Sequence, residues 1–169
     1  RRILERRLAA SDSPEKNAEF LERLGDLELG KLQNAEAASE RYIRAAKAAE
    51  SLEDPSRELA LLDKVLAAKP GHRPTLVRMT EIANATGDAA LLVKTLAALL
   101  RSSDTPGERV NLVLSMEVPR LALGDAEGFI AIVDEVSAET GPRLDLLSAK
   151  ARAYGERDPA AAAAVYRGM

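Results

Sequence analysis

The chain has 169 residues, no cysteine and a formal net charge of −3, with 46% hydrophobic and only 3% aromatic residues. The lack of cysteine excludes disulfides and thiolate metal sites, and the slightly acidic balance argues against nucleic-acid binding. No apolar run reaches the ~20 residues that span a bilayer, so we expect no membrane insertion. Because strands favour β-branched and aromatic residues, a composition dominated by alanine and leucine indicates an all-α protein.

Four helices are predicted in the first part of the chain, where apolar side chains recur at helical spacing. They cover about residues 1–10, 14–30, 34–52 and 54–69. On the fourth helix we expect the inward side chains to be Leu59, Leu62, Val65 and Leu66.

Six further helices follow, separated by short connections that force antiparallel neighbours. The predicted ranges are 74–86, a helix after Asp88, 106–123, a helix after Asp125, 142 to about Glu156, and a last helix from Asp158. On the eighth helix, Phe129, Ile132, Val133 and Val136 are expected to face inward. Pro119 lies inside a helical pattern, where it predicts either a tolerated kink or a kink that shapes a binding groove.

Aspartates recur at the helix starts at intervals of about 33–37 residues, as Asp54, Asp88, Asp125 and Asp158. An aspartate at this position caps a helix, because its carboxylate accepts a hydrogen bond from an otherwise unpaired backbone N–H. The regular interval is typical of a solenoid of helical hairpins. A shared metal site is disfavoured, since packed helices lie ~10 Å apart.

The pattern resembles the tetratricopeptide repeats in a degenerate form, without the family's tryptophan. The matching residues are Tyr42, Ala45, Ala46, Leu62 and Pro70 in the first unit, Leu76, Met79, Gly87, Leu96 and Leu99 in the second, and Val113, Met116, Gly124, Val133 and Val136 in the third. Leu92 and Phe129 replace the alanine of the second helix. The resemblance implies a right-handed α-solenoid of antiparallel helical hairpins.

We expect one helical-repeat domain over 1–169, with irregular units in 1–38 and repeats at about 39–72, 73–109, 110–143 and 144–169. The third helix fits either as the partner of the helix with Leu24-Gly25 or as the partner of the helix after Asp54. We therefore expect a local irregularity or an extra helix near residues 30–52. Because Arg1 lies within a helical pattern and Met169 follows soon after the last helix start, we also expect a fragment of a longer, bacterial-type multi-repeat protein. The absence of cysteine agrees with a reducing compartment, and we expect the cytoplasm.

The resemblance further implies a concave face that binds a protein or peptide and is lined by the first helix of each hairpin. The candidate residues are Ile43, Arg44, Lys47, Val77, Arg78, Glu81, Asn84, Asn111, Leu114, Val118 and Arg152. Arg44, Lys47 and Arg78 are expected to hold acidic groups of the partner, and Val77, Leu114 and Val118 its apolar side chains. The alternatives are an ordinary mixed surface, self-association through truncated repeat ends, or an accessory domain of an enzyme encoded elsewhere in the chain.

No catalytic, cofactor or metal site is predicted. His72, the single histidine, is expected to be an exposed turn residue, and alone it builds neither a metal site nor a catalytic triad. Ser102, Ser103 and Asp104 are expected to act at a helix end rather than as nucleophiles. The sequence therefore predicts a non-enzymatic scaffold without cofactors.

Overall fold

The computed structural model describes residues 1–155 and 157–168, which form ten helices and no strand. The helices are α1 (Arg2–Ala9), α2 (Pro14–Gly30), α3 (Ala35–Glu50), α4 (Pro55–Ala68), α5 (Arg73–Thr86), α6 (Ala89–Arg101), α7 (Pro106–Ala122), α8 (Ala126–Thr140), α9 (Leu144–Tyr154) and α10 (Pro159–Arg167). The prediction of an all-α chain with about ten helices is confirmed. Glu156, the predicted end of the ninth helix, and Met169 lie outside the described residues.

The chain divides into two compact units, Arg1–Ile82 and Ala83–Met169, and the boundary falls within α5. In the first unit, α3 packs against both α2 and α4. In the second, α7 packs against α6, α8 and α9, and α9 against α10. None of the described helices is both long and apolar enough to cross a membrane.

Polar side chains cap most of the helix starts. The four aspartates accept hydrogen bonds from the backbone N–H three residues ahead, Asp54 at 3.0 Å, Asp88 at 2.9 Å, Asp125 at 3.1 Å and Asp158 at 2.9 Å. Ser13 and Asn34 cap α2 and α3 in the same way. The predicted capping role is confirmed, and each cap is worth ~1 kcal/mol of helix stability.

Tyr42 lies at the centre of the first unit and is only 1% exposed. Its ring packs with Ala38 and Val65, and its hydroxyl donates a hydrogen bond to Asp26 Oδ1 at 2.9 Å. Lys64 Nζ lies 5.5 Å from the ring centroid, within the range of a cation–π contact. The tyrosine therefore joins α2, α3 and α4 through both apolar and polar contacts.

The buried face of α4 differs in part from the predicted one. Leu62 and Val65 are buried as expected, but Leu61 and Glu58 are also buried, whereas Leu59 and Leu66 are half-buried. The prediction failed for this helix because a buried carboxylate breaks the apolar pattern. Glu58 is accommodated because an arginine neutralises it, as described below.

Raising the pH above about 10 is expected to destabilise the protein through Tyr42. Burial of the ring, reinforced by the hydrogen bond to Asp26, raises the pKa of the Tyr42 hydroxyl well above its usual range. The folded state therefore favours the neutral phenol, while the unfolded chain ionises near pH 10. This contribution to stability is complete below that pH and is lost as the pH rises toward the folded-state pKa, by roughly 1 kcal/mol at pH 11.

Urea unfolding of the wild type and Tyr42→Phe, measured across this pH range, checks the expectation. Other groups titrate in both proteins, so the difference between their unfolding free energies isolates Tyr42. As the pH rises, the unfolding free energy of Tyr42→Phe should increase relative to that of the wild type. Two parallel pH profiles would show that the phenol ionises equally in the folded and unfolded states.

The expected irregularity around α3 lies in its flanking turns. α3 is the one helix described between Gly30 and Pro55, and it packs against both α2 and α4, so the phasing of the repeats around it remains a prediction. Gln33 and Glu53 adopt left-handed backbone conformations with φ of 50° and 55°. Non-glycine residues rarely adopt this conformation, which marks both turns as atypical.

Phe129 lies at the centre of the second unit's core and is fully buried. Around it lie Val113 and Met116 of α7, Val133 of α8 and Leu146 of α9. Pro119 is also buried, and α7 continues through it to Ala122. The proline therefore does not end the helix.

Candidate functional site

The first unit contains a cleft of about 660 Å³, which we call the α1–α3 cleft. It is lined by Glu5, Leu8 and Ala9 of α1, by Asn17 and Leu21 of α2, and by Arg41, Arg44, Lys47 and Ala48 of α3. Apolar side chains come from all three helices, whereas the cations come from α3 alone. The cleft thus combines an apolar lining with a basic wall.

The basic wall follows from the helical spacing of Arg41, Arg44 and Lys47, which places them along one side of α3. Arg41 Nη2 lies 3.7 Å from Glu5 Oε1, and the same carboxylate oxygen lies 3.0 Å from Arg1 Nε. The hydrogen bond from Arg1 lowers the pKa of Glu5. Glu5, the single acidic residue of the cleft lining, is therefore already neutralised by arginines.

Arg44 and Lys47 differ from Arg41, the third cation of the cleft lining, because the described residues provide no partner for their charges. Both are exposed, and neither has an ion pair or side-chain hydrogen bond with any described residue. By contrast, Lys64 lies 2.7 Å from Glu22 Oε1, and Lys69 lies 3.0 Å from Glu36 Oε2. The two free cations can therefore interact with an external anionic group.

Asn17 adds an unsatisfied polar atom to the cleft. Its Oδ1 is buried and accepts no hydrogen bond from the described part of the chain. Buried polar atoms are nearly always paired, so an unpaired acceptor in a cleft lining suits a ligand donor such as a backbone N–H.

A second cavity of the first unit, the α3–α5 pocket, has a volume of about 220 Å³. Its apolar lining consists of Ile43, Ala46, Leu62 and Pro74, and its polar lining of Lys47, Glu50, Glu58, His72, Thr75 and Arg78. Lys47 lines both cavities, so α3 forms the ridge between them.

Arg78 is bound by three carboxylates of the first unit. Its Nε and Nη2 donate to Glu58 at 2.6 and 3.1 Å, Nη2 also lies 2.9 Å from Glu50, and Nη1 donates to Glu81 at 3.2 Å. These contacts, with the Glu58 hydrogen bond first, raise the pKa of Arg78. The Glu58 side chain is only 5% exposed, so Arg78 supplies the charge that allows this carboxylate to be buried.

His72 is not the exposed turn residue that the sequence predicts. It is half-buried, and its Nδ1 lies 2.7 Å from Thr75 Oγ1 within the lining of the α3–α5 pocket. The prediction is wrong because His72 directly precedes α5, and its carbonyl accepts hydrogen bonds from the N–H groups of Thr75 and Leu76. Its ring is thereby held against the first turn of the helix.

Four of the predicted binding residues are brought together in the first unit. Ile43, Lys47 and Arg78 line the α3–α5 pocket, and Arg44 shares the α1–α3 cleft with Lys47. Val77 and Glu81 are exposed on α5. Arg78 was expected to hold a partner's acidic groups, yet its guanidinium is already bound to carboxylates of its own chain.

The remaining predicted residues belong to the second unit. Asn84 and Asn111 are exposed, Leu114 is half-buried against the core, and Val118 is 76% exposed. Arg152 donates to both carboxylate oxygens of Glu117, at 2.5 and 2.7 Å, which raises the pKa of Arg152. A concave groove containing all of these residues remains a prediction.

Several lining residues were missed by the sequence analysis. Arg41 lies one helical turn before Arg44, so the spacing of the cations along α3 contained a signal for it. Asn17, Leu8 and Leu21 lie in the region assigned to irregular units, and nothing local to them indicates that they face a cleft. The burial of Glu58 likewise depends on Arg78, which is distant in sequence.

Other features of the described residues bear on the remaining predictions. They contain no group of three or more histidine, cysteine or acidic side chains arranged to hold a metal ion. Ser102 donates a hydrogen bond to the Leu99 carbonyl, a helix-end role as predicted. Ile3 on α1 and Tyr166 on α10 are exposed. Self-association through the terminal helices remains a prediction.

No family model matches the chain, and no curated protein matches its sequence. Solved structures do resemble it. A double mutant named MamA RS-1 ArsTM is 17% identical, over 98% of this chain and 88% of that one, with a TM-score of 0.49. The nearly identical TPR-like repeats of a kinesin-light-chain-like protein from Podosopora anserina are 17% identical, over 98% and 89% of the two chains, with a TM-score of 0.48.

Because these TM-scores lie below 0.5, the fold assignment rests on the helices of each unit rather than on the likeness. Within the described residues, the consecutive helices of each unit are joined by short turns and carry repeated aspartate caps, which is a helical-repeat architecture.

Proposed function

We propose that the chain is a non-enzymatic interaction module that binds an acidic segment of a partner protein in the α1–α3 cleft. The observation that carries the proposal is the pair of unused cations, Arg44 and Lys47, beside an apolar lining. The arginine can hold a carboxylate through two parallel hydrogen bonds, and the lysine adds a point charge.

Charge alone does not make such a site strong, because an exposed ion pair contributes only ~0.2–1 kcal/mol. The apolar lining from Leu8, Leu21 and Ala48 supplies the rest, at about 25 cal/mol for each Å² of apolar surface that a ligand buries. The Asn17 Oδ1 atom offers an acceptor for a peptide N–H. The proposed ligand is therefore a segment with both acidic and apolar residues.

Reversing the two free charges is expected to weaken binding of acidic peptides at least tenfold, since two attractive contacts become repulsive. The measurement is fluorescence polarisation with labelled peptides in which glutamates alternate with leucines, comparing the wild type with Arg44→Glu/Lys47→Glu. Peptides with lysine in place of glutamate should bind weakly to the wild type.

The matched control is Lys16→Glu/Lys31→Glu, which makes the same charge change at two exposed lysines that line neither cavity. This control should retain nearly wild-type affinity if the cleft is the binding site. An equal loss of affinity in both double variants would show that the effect comes from the net charge of the protein and not from the cleft. Unchanged binding in Arg44→Glu/Lys47→Glu would place the peptide elsewhere.

A further inference from the structure

We infer that the α3–α5 pocket seats a large apolar side chain of the same acidic segment, so that the two cavities recognise a combined acidic and apolar motif. The inference rests on the proposed function, because the acidic residues anchor the segment in the α1–α3 cleft. Beyond the proposed function, it specifies that a large apolar side chain follows the acidic residues and that this side chain binds in the α3–α5 pocket.

The size of the pocket favours a single side chain over a cofactor. Its volume of about 220 Å³ is below the ~300–1,000 Å³ of pockets that enclose drug-sized ligands. Ile43, Ala46, Leu62 and Pro74 supply apolar surface. An inserted leucine or phenylalanine would therefore exchange water for apolar contact.

Apart from Lys47, which faces the acidic segment at the edge shared with the α1–α3 cleft, the polar side chains of the pocket lining have partners within the first unit. Glu50 and Glu58 are bound to Arg78, and the His72 Nδ1 atom is paired with Thr75. A charged side chain that enters the pocket would lose its hydration and would find these groups already paired with each other. Burying an unpaired charge is unfavourable. The pocket therefore selects apolar side chains. The ion pairs of Arg78 with Glu50 and Glu58 hold the polar side of the pocket in place.

The position of Lys47 sets the spacing of the motif. Lys47 lines both cavities from the ridge of α3, so a segment anchored in the α1–α3 cleft has to cross this helix to reach the pocket. An extended peptide rises about 3.3 Å per residue and crosses a helix of about 10 Å diameter in roughly three residues. The apolar residue should consequently stand about three positions from the acidic anchor.

The test uses labelled peptides with a pair of glutamates and one variable position about three residues away. Leucine or phenylalanine at this position should increase the affinity for the wild type about tenfold over serine or lysine. Moving the leucine directly beside the glutamates should abolish the gain. These comparisons need no protein variant.

A pocket-filling variant tests the location. Ala46→Leu should lower the affinity for the leucine peptide to that for the serine peptide, which itself should be unchanged. Ala138→Leu, on the exposed surface of α8, is the matched control and should behave as wild type. Circular dichroism verifies that both variants are folded.

The outcomes separate the inference from the proposed function. Equal affinity for the leucine and serine peptides, with binding still dependent on Arg44 and Lys47, overturns the inference and leaves the proposed function intact. Leucine-dependent binding that is insensitive to Arg44→Glu/Lys47→Glu overturns the proposed function and the inference with it. A leucine gain that Ala46→Leu removes, together with the loss caused by the charge reversals, supports both.

Discussion

Phe129→Ala is expected to destabilise the protein by about 3–5 kcal/mol, the range for removing a fully buried aromatic ring. The Phe129 side chain has no exposed surface and belongs to the core cluster of the second unit. Val113, Met116 and Leu146 surround it from two other helices, and helices constrained on both sides cannot readily collapse into the vacated space. The loss should therefore include a cavity term as well as the lost burial.

Chemical unfolding followed by far-ultraviolet circular dichroism measures this effect. Phe129→Leu, which keeps most of the volume, should cost less than about 1.5 kcal/mol. Leu123→Ala removes a half-exposed side chain at the end of α7 and should change the unfolding free energy by no more than about 1 kcal/mol. A Phe129→Ala loss as small as that of Leu123→Ala would mean that the second unit's core is loosely packed around the ring.

The inward position of Phe129 was predictable because the signals for α8 are local. Asp125 marks the helix start, and the spacing of Phe129, Val133 and Val136 defines one buried face. The same holds for the other aspartate-capped helices, whose predicted starts agree with the structure. Caps, turn glycines and helical periodicity act within a few residues and therefore can be read from a single sequence.

The candidate site depends on contacts between distant segments and was only partly predictable. Arg44, Lys47 and Arg78 all have the residue type expected of a basic binding face, but only Arg44 and Lys47 are exposed. The sequence does not show that Arg78 is bound by Glu58 while Arg44 and Lys47 have no described partner. It also does not show that α1 and α2 contribute an apolar lining beside α3. Which cations are free is therefore a property of the tertiary structure.

Gly25→Ala is expected to destabilise the first unit by about 3 kcal/mol, because the added methyl group has no space. A Cβ atom at Gly25 would lie 2.5 Å from Tyr42 Cε1, 2.8 Å from Cδ1 and 2.9 Å from Cζ. The ring cannot easily move away, since it is buried and its hydroxyl is hydrogen-bonded to Asp26. Relief would require α2 and α3 to separate.

Gly30→Ala is the matched control, because Gly30 ends the same helix and a Cβ there would meet nothing within 4 Å. Alanine is a better helix former than glycine, so this variant should be slightly more stable than the wild type, by up to about 1 kcal/mol. In the double variant Gly25→Ala/Tyr42→Leu, the smaller side chain should recover part of the loss relative to the sum of the single changes.

The comparison also bears on binding, since Leu21 of α2 and Arg44 of α3 line the cleft from the two helices that Gly25 brings together. If Gly25→Ala forces these helices apart, its affinity for acidic peptides should fall while that of Gly30→Ala stays unchanged. A Gly25→Ala protein as stable as Gly30→Ala would show that the Tyr42 ring has room to move. In that case close packing between α2 and α3 would not account for the glycine at position 25.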